Sequence, residues 1–379
     1  MTAQIDETRL DDTDVLSGAD PAEMLRATAG AGPQLREAVS LAAEAGLHVL
    51  SEEIRPRALV VAGVGTAART GDVLNAVAGP RCPVPVILHR SRGVPGWVGA
   101  ADVVIAVSAS GRSPEALAAA EAAMHRGARL VAIGAPDSEL QSMAERARAL
   151  FVPVPRRRPA RVAFWSLAAP VLLAGRGLGM CQVAEADFAE TATRLDNDAD
   201  RCRPTAESFV NEGKSLAIEL ANTIPVVWGT SALATVAANR FADQLAANAR
   251  YPAIAGNLVE AGRGRVGLID GVFGSLADDA DDFFADRVDS AGSTKLRLVL
   301  LRDDGESEVD AARATAIENL ARERGIGVSV LNAEGGSELE RLASLIAVPD
   351  FASVYLALLH GLDPIAVRAV SELKERTNA

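Results

Sequence analysis

Three serines and a glycine stand where an apolar stretch gives way to an alanine-rich one. The segment reads Val107-Ser108-Ala109-Ser110-Gly111-Arg112-Ser113-Pro114 and follows the apolar residues 103–106. A buried strand that runs into hydroxyls and then a helix brings O–H groups together with helix amides, which suits an anion, most simply phosphate. A plainer interpretation makes Ser113 an N-cap and the other serines turn residues. Three serines in so short a stretch, with Gly111 among them, favour the phosphate site.

A glycine-rich segment, Gly63-Val64-Gly65-Thr66-Ala67-Ala68, follows an earlier apolar run. It fits the GxGxxA pattern of dinucleotide-binding proteins. The next predicted strand, however, ends in His89-Arg90-Ser91-Arg92 rather than in an acidic residue for a ribose. We therefore expect Gly65 and Thr66 to join the serines in one phosphate pocket at the sheet edge. An NADP-dependent oxidoreductase is the alternative that this segment leaves open.

Composition limits the function classes. The chain has 379 residues, of which 49% are hydrophobic and only 4% aromatic, so we expect a core of Ala, Val and Leu. A net charge of −12 argues against nucleic acid and anionic membranes as partners. The three cysteines and four histidines are scattered, so we expect no metal and no other cofactor. The polar N-terminus and the lack of a membrane-length apolar segment indicate a cytoplasmic protein.

Short β-branched runs alternate with helical segments, which predicts an α/β fold with parallel sheets. In the first half, strands are predicted at residues 58–64, 85–88, 102–107, 130–134 and 151–155, and helices at 70–76, 114–126, 139–147 and 161–173. The pattern then restarts, with strands predicted at 225–231, 266–269, 296–301 and 328–331, and helices at 232–249, 309–324, 337–347, 351–359 and 364–376. We therefore expect two similar α/β units in tandem.

Four segments follow from this pattern. Residues 1–55 are an acidic and helical segment, of which 1–20 are expected to be loose. Residues 56–170 form the first α/β domain, 171–220 a helical connector, and 221–379 the second domain. The acidic run Asp278-Asp279-Ala280-Asp281-Asp282 lacks the glycine and alternation of a calcium loop, so we interpret it as a solvated insertion.

The serine segment resembles the phosphate loop of sugar isomerase (SIS) domains. From about Pro21 to the C-terminus the chain resembles the bifunctional phosphoglucose/phosphomannose isomerase family, above all over residues 350–364. The resemblance implies two SIS-type three-layer α/β sandwiches, a phosphorylated hexose as ligand and a homodimer. It also implies that Gly65, Thr66, Ser108, Ser110, Gly111 and Ser113 bind phosphate, and that Arg161 is the family's active-site arginine.

The positions that carry proton transfer in the family differ in this chain. Isomerisation between an aldose and a ketose needs a base to take the C2 proton and an acid/base group to open the ring. The family's glutamate falls on Ala247, its histidine on Arg263, and a threonine on Ile365. Alanine cannot take a proton, and arginine stays protonated.

Three residues could substitute for the missing groups: Glu260 or Asp243 as the base, and His360 for ring opening. The plainer interpretation of each is an exposed or helix-end residue, which we favour. Arg161 and Arg263 could instead make the pocket more cationic, so that it binds an anionic sugar without converting it. The resemblance thus predicts a sugar-phosphate-binding protein with weak or no isomerase activity, serving as a sensor or partner in carbohydrate metabolism. Active isomerisation of glucose 6-phosphate or mannose 6-phosphate is the alternative.

Overall fold

The computed structural model describes residues 6–157, 159–277 and 294–377, so the acidic run at 278–282 lies outside the described residues. Two units are formed. One contains residues 30–196 with 337–340, and the other contains 1–29, 197–336 and 341–379. We call them the first-sheet unit and the second-sheet unit. The domain boundaries drawn from the sequence stay a prediction.

The first sheet has five parallel strands in the order β2-β1-β3-β4-β5. Its strands are β1 (Leu59–Ala62), β2 (Val86–His89), β3 (Val103–Ser108), β4 (Arg129–Gly134) and β5 (Leu150–Pro153). Both β1 and β3 are buried along their whole length, which explains why their sequences are continuously apolar rather than alternating. All five strands end at the same edge of the sheet, which we call the carboxyl edge.

Helices follow β1, β3 and β4 in the first sheet and return the chain to begin the next parallel strand, whereas β2 leads to β3 through a loop. They are α4 (Thr66–Ala78), α5 (Pro114–His125) and α6 (Glu139–Ala147), with α3 (Ala31–Glu44), α7 (Phe164–Gly177) and α8 (Glu185–Arg201) completing this part of the chain. Buried alanines of α5 pack in one cluster with β-strand residues such as Val104 and Ala132. The small side chains let helix and sheet approach closely, which accounts for a core with so few aromatic residues.

The second sheet has four parallel strands in the order β7-β6-β8-β9. They are β6 (Thr223–Gly229), β7 (Ile254–Asn257), β8 (Lys295–Arg302) and β9 (Gly327–Asn332). Its helices are α9 (Glu212–Leu220), α10 (Ala232–Gln244), α11 (Leu258–Ala261), α12 (Glu308–Glu323), α13 (Glu338–Leu359) and α14 (Arg368–Thr377). A π-helix at Leu245–Ala249 extends α10. The order is that of the first sheet without its fifth strand, so the predicted repeat of two α/β units is confirmed.

The predicted strand at residues 266–269 is wrong. That stretch is a 3₁₀ helix, Arg265–Asp270, and the partner of β6 is instead β7, in register from Val226 opposite Ile254. The predicted helices at 337–347 and 351–359 are one continuous helix, α13, which contains Pro349.

The expectation that residues 1–20 are loose is wrong for the part described. A 3₁₀ helix spans Glu7–Leu10, followed by α1 (Thr13–Ala19) and α2 (Met24–Ala29). The acidic residues that suggested a solvated tail act as helix caps. Asp12 accepts from the amides of Asp14 at 2.9 Å and Val15 at 3.1 Å, which satisfies amides that a helix start leaves unpaired.

A buried lysine fixes this N-terminal segment in the second-sheet unit. Lys214 has no exposed surface, and its Nζ donates to the carboxylate of Asp11 at 3.3 Å. It also donates to the carbonyl oxygens of Pro204 at 2.8 Å and Ala206 at 2.7 Å. Three acceptors match the three donors of an ammonium group, so the charge is buried with its hydrogen bonds satisfied.

Among the described residues, α13 alone is long and apolar enough to cross a membrane by length and composition. Its most apolar window is entirely buried inside the protein. Such burial is typical of the core helix of a folded domain.

Candidate functional site

The serine loop lies at the topological switch point of the first sheet. From β1 the chain goes to one side to form β2, and β3 is placed on the other side. The loops after β1 and β3 therefore leave the sheet in a crevice at the carboxyl edge, which is where ligands bind in open α/β sheets. These are the two loops that the sequence singles out, at residues 63–66 and 108–113.

The two loops lie directly against each other. A Cβ atom added to Gly63 would stand 3.0 Å from the carbonyl oxygen of Val107. Gly65, with φ +58°, then begins α4, of which Thr66 is the first residue. A Cβ at Gly65 would meet no atom within 4 Å, so this glycine borders open space. The structure thus brings Gly65 and Thr66 to the same sheet edge as the serines.

Hydrogen bonds orient the three serine hydroxyls. Ser108 Oγ accepts from the amide of Ser113 at 3.3 Å, and Ser110 Oγ from that of Arg112 at 3.2 Å. Ser113 Oγ caps α5 by accepting from the amide of Ala116, also at 3.3 Å. A hydroxyl has one donor, and each oxygen here already accepts an amide hydrogen, so the O–H is left to donate. Donors beside a helix N-terminus are suited to hold an anion.

The serine loop needs glycine at its centre. Gly111 has φ +67°, and an added Cβ would lie 2.1 Å from Ser138 Oγ and 3.2 Å from the carbonyl oxygen of Ala135. Its amide donates to the carbonyl of Ser108 at 3.0 Å, and its carbonyl accepts from the amide of Leu140 at 3.1 Å. Gly111 is therefore fixed on both sides, and the loop is held in one shape before any ligand arrives.

One carboxylate near the start of α4 forms ion pairs with two arginines. Asp72 pairs with Arg69 at 3.0 Å and with Arg90, just after β2, at 2.5 Å. The acidic side chain near the end of β2 therefore belongs to α4 and is engaged by arginines. This arrangement differs from a dinucleotide site, in which a free carboxylate after the second strand receives a ribose.

Three arginines border the serine loop on the side of β5. A cleft of about 220 Å³ is lined by Ser110 and Arg112 of the loop and by Arg156, Arg157 and Ala160. We call it the arginine cleft. Arg161, the predicted active-site arginine, follows Ala160 in a 3₁₀ helix and is half-buried. The structure thus places Arg161 in the segment that borders the cleft.

The loop at the equivalent edge of the second sheet has carboxylates in place of serines. The loop after β8, which corresponds to β3, reads Asp303-Asp304-Gly305-Glu306. The amide of Asp303 donates to Thr230 Oγ1 at 3.2 Å, in the loop after β6. Two of these carboxylates are paired with arginines, Asp303 with Arg341 at 2.7 Å and Glu306 with Arg302. Among the described residues, this loop therefore lacks the serine hydroxyls that the loop after β3 presents.

Known proteins resemble this chain in sequence and in fold. Residues 209–377 match the family described as bacterial phospho-glucose isomerase C-terminal SIS domain. A bifunctional phosphoglucose/phosphomannose isomerase of Caldicellulosiruptor bescii is 26% identical over 90% of this chain and 95% of its own. One of the same name from Aquifex aeolicus is 24% identical over 77% and 81%. The C-terminal part of this chain, residues 209–377, is therefore similar to an SIS domain.

A solved structure resembles this chain in its fold. A hypothetical protein from Thermus thermophilus superposes with a TM-score of 0.69 and 15% sequence identity, covering 96% of this chain and 92% of that one. The predicted α/β fold class with parallel sheets is confirmed.

Two of the positions at which the resemblance predicts the family's proton-transfer residues lie in one region of the second-sheet unit. Ala247 is in the π-helix after α10 and is half-buried. Arg250, which ends that helix, donates to the carbonyl oxygen of Asp363 at 2.6 Å. This bond holds the loop that contains Ile365 against the helix end. The methyl group of Ala247 and the side chain of Ile365 supply no group that can exchange a proton.

Arg263 and the possible substitute bases are exposed. Arg263 follows α11, which contains Glu260, and both side chains face solvent. Asp243 lies near the end of α10, one turn before Ala247, and is exposed as well.

His360 is enclosed rather than presented to a ligand. Its ring stacks on Tyr251, with centroids 5.6 Å apart, and its Nε2 is buried without a hydrogen-bond partner. Burial lowers the pKa of His360 below its usual value. The histidine is therefore neutral near pH 7, and Nε2 faces no solvent from which a sugar could approach.

The described parts of the chain contain no cluster of metal ligands, and two of the three thiols are buried. No group of three or more His, Cys, Asp or Glu side chains there could hold a metal ion. Burial raises the pKa of both Cys181 and Cys202 to about 12, which keeps these thiols protonated and poor nucleophiles.

Sequence reasoning missed the arginine cleft, although a signal was present. Arg156 and Arg157 follow the fifth predicted strand directly. Because parallel strands end at one edge, residues just after β5 face the same edge as the serine loop. The strand order, which brings β4 and β5 to the serine side, was not available from the sequence.

Proposed function

We propose that this protein binds a phosphorylated hexose at the serine loop and isomerises it weakly or not at all. The observation that carries the proposal is the set of three serine hydroxyls at the start of α5, each of whose oxygens accepts an amide hydrogen. The Ser108 and Ser110 hydroxyls lie 3.5 Å apart, so one of them can donate to the other, and at least two O–H donors remain for a phosphate. Gly65 and Thr66 border the same crevice. The relatives' names supply the sugar, since both are called phosphoglucose/phosphomannose isomerases.

The residues near the π-helix are the reason to expect little or no isomerisation. General acid–base catalysis contributes roughly a hundredfold to ten-thousandfold, and the family's base falls on an alanine here. A protein that binds phosphate at its serine loop but lacks the catalytic base is suited to be a cytoplasmic sensor of sugar phosphate, or a partner protein in carbohydrate metabolism. A homodimer is part of the proposal and rests on the resemblance alone.

Binding is tested by thermal unfolding and calorimetry with glucose 6-phosphate, mannose 6-phosphate and unphosphorylated glucose. We expect the phosphates alone to raise Tm, by about 2 °C or more at roughly 100 times Kd. Ser110→Ala should weaken binding about tenfold, since hydrogen bonds to charged groups contribute about 1.5–3 kcal/mol. Ser142→Ala, an exposed serine on α6, is the matched control. Equal stabilisation by glucose, or no binding at all, would contradict the proposal.

Activity is tested with sugar phosphates deuterated at C2. We expect the label to stay on the sugar, while an active isomerase treated in parallel releases it to water. Enzyme-dependent loss of label from the wild-type protein would instead support isomerisation of glucose 6-phosphate or mannose 6-phosphate. NADP belongs in the same binding series, because Tm elevation by NADP alone would favour the oxidoreductase alternative.

A further inference from the structure

The arginine cleft has more cationic groups than a single phosphate on the serine loop needs. Hydroxyls and a helix N-terminus are sufficient to hold a phosphate. Arg112, Arg156 and Arg157 nevertheless line the cleft that begins at Ser110. In a chain of net charge −12, three arginines around one small cleft are a local concentration of positive charge.

Each arginine retains donors for a ligand. The Arg112 guanidinium is exposed, and none of the described residues hydrogen-bonds to it. Arg156 uses one terminal nitrogen, which donates to the carbonyl oxygens of Pro136 at 3.1 Å and Asp137 at 3.2 Å. A guanidinium has five N–H donors, so most of those of Arg112 and Arg156 remain available.

Arg157 is partly neutralised by an acid. One of its terminal nitrogens pairs with Glu37, and its Nε donates to Ser166 Oγ at 3.4 Å. This fixes the direction of the side chain along the cleft wall. Arg112 and Arg156 are not paired with a carboxylate among the described residues, so the cleft keeps a net positive charge.

The size of the cleft limits its occupant. Its volume, about 220 Å³, is below the roughly 300–1,000 Å³ of pockets that enclose a whole small molecule. A cleft of this size fits one substituent of a ligand whose remainder is bound at the serine loop. Arginine's planar fork matches the paired oxygens of a phosphate or carboxylate.

We infer that the ligand of the serine loop is a phosphosugar with a second anionic group, which the arginine cleft receives. The inference rests on the proposed function, because the first phosphate is taken to occupy the serine loop. A sugar bisphosphate and a phosphorylated sugar acid share this chemistry.

Calorimetry with three probes tests the inference: glucose 6-phosphate, glucose 1,6-bisphosphate and 6-phosphogluconate. We expect one or both of the doubly anionic probes to bind at least about tenfold more tightly than glucose 6-phosphate, with a steeper loss of affinity on adding salt. A gain for the bisphosphate alone identifies a second phosphate, and a gain for the acid alone identifies a carboxylate.

Substitution of the cleft arginines tests whether the tighter binding of a doubly anionic probe depends on the arginine cleft. Arg112→Gln and Arg156→Gln should each lower the affinity for the favoured probe about tenfold. Arg156→Gln, which lies outside the serine loop, should leave the affinity for glucose 6-phosphate within twofold. Arg55→Gln is the matched control, since this exposed arginine precedes β1 at the opposite edge of the sheet.

The outcomes separate the two proposals. Glucose 6-phosphate binding with no gain for either doubly anionic probe overturns the inference and leaves the proposed function standing. The same holds if the arginine variants weaken all three probes equally, because the arginines then contact the one phosphate. No binding of any probe overturns both.

Discussion

At the scale of single residues, the anion site depends on one glycine more than on any serine. Each serine contributes one donor, whereas Gly111 sets the path of the backbone that aims all three. Its positive φ and its closeness to Ser138 are independent obstacles to a side chain.

Gly111→Ala should destabilise the fold by about 2–3 kcal/mol, from the strained φ and from the contact with Ser138. Urea unfolding measures it. Gly46→Ala is the matched control, because Gly46 also has a left-handed backbone, with φ +76°, but its added Cβ meets only His48, at 4.0 Å. That change should cost about 1 kcal/mol. Equal costs at the two sites would show that Ser138 moves aside freely.

Ala247 is the residue at which activity can be restored if the interpretation of the family positions is right. Ala247→Glu should raise the rate of deuterium loss from C2-labelled glucose 6-phosphate at least about tenfold, because a placed carboxylate supplies the missing base. Ala246→Glu adds the same group one residue earlier on the same π-helix and should have no effect. Equal rates for both variants and the wild-type protein would count against Ala247 as the site of the lost base.

At the scale of elements, β3 is anchored at its start as well as at its serine end. Asp102 precedes the strand, its side chain has no exposed surface, and it accepts from Arg57 at 2.7 and 3.0 Å and from the amide of Gly99 at 2.8 Å. Burial alone would raise the pKa of Asp102, but these hydrogen bonds outweigh burial and lower it.

A lowered pKa in the folded state gives a defined pH dependence. The unfolded chain binds the proton first on acidification, so the stabilisation by Asp102 is complete above about pH 4 and is lost as pH falls through the folded value. Asp102→Asn should therefore lower Tm at pH 7 and flatten the Tm profile below pH 4. Asp304→Asn, at an exposed carboxylate, should leave the profile unchanged. If the Tm of Asp102→Asn fell below pH 4 as steeply as that of the wild-type protein, the pH dependence could not be attributed to Asp102.

A buried ion pair joins α10 to α13. Arg240 donates to one carboxylate oxygen of Asp350 from Nε at 3.2 Å and from a terminal nitrogen at 2.6 Å. Arg240→Met should cost about 3–5 kcal/mol in urea unfolding, since it leaves a buried carboxylate without its cation. The double variant Arg240→Met/Asp350→Leu should recover much of the loss. Arg322→Met, in an exposed pair on α12, should cost less than about 1 kcal/mol.

At the scale of the whole molecule, the sequence predicts most of the sheets and the central loop of the site. Continuous β-branched runs mark β1, β3 and β4 because both faces of these strands are buried. The edge strand β7 has the sequence Ile-Ala-Gly-Asn, which lacks such a run, while the apolar residues at 266–269 fold into a 3₁₀ helix that contains Gly267. At β7, pairing with β6 rather than local sequence therefore decides that a strand forms.

The candidate site likewise has one part that the sequence predicts and one part that it does not. Ser108 to Ser113 could be predicted, because hydroxyls between a strand and a helix are visible in one continuous stretch. The arginine cleft could not be predicted, since it combines loops after β3 and β5 whose adjacency depends on strand order.

The buried Lys214 has a consequence for synthesis on the ribosome. Asp11 and Lys214 are 203 residues apart in the chain. The N-terminal helices therefore emerge long before their partners, while the whole first sheet is translated between them. During synthesis from the N-terminus, residues 6–29 cannot make their final contacts until α9 is complete. A chaperone that binds this segment would act in that interval.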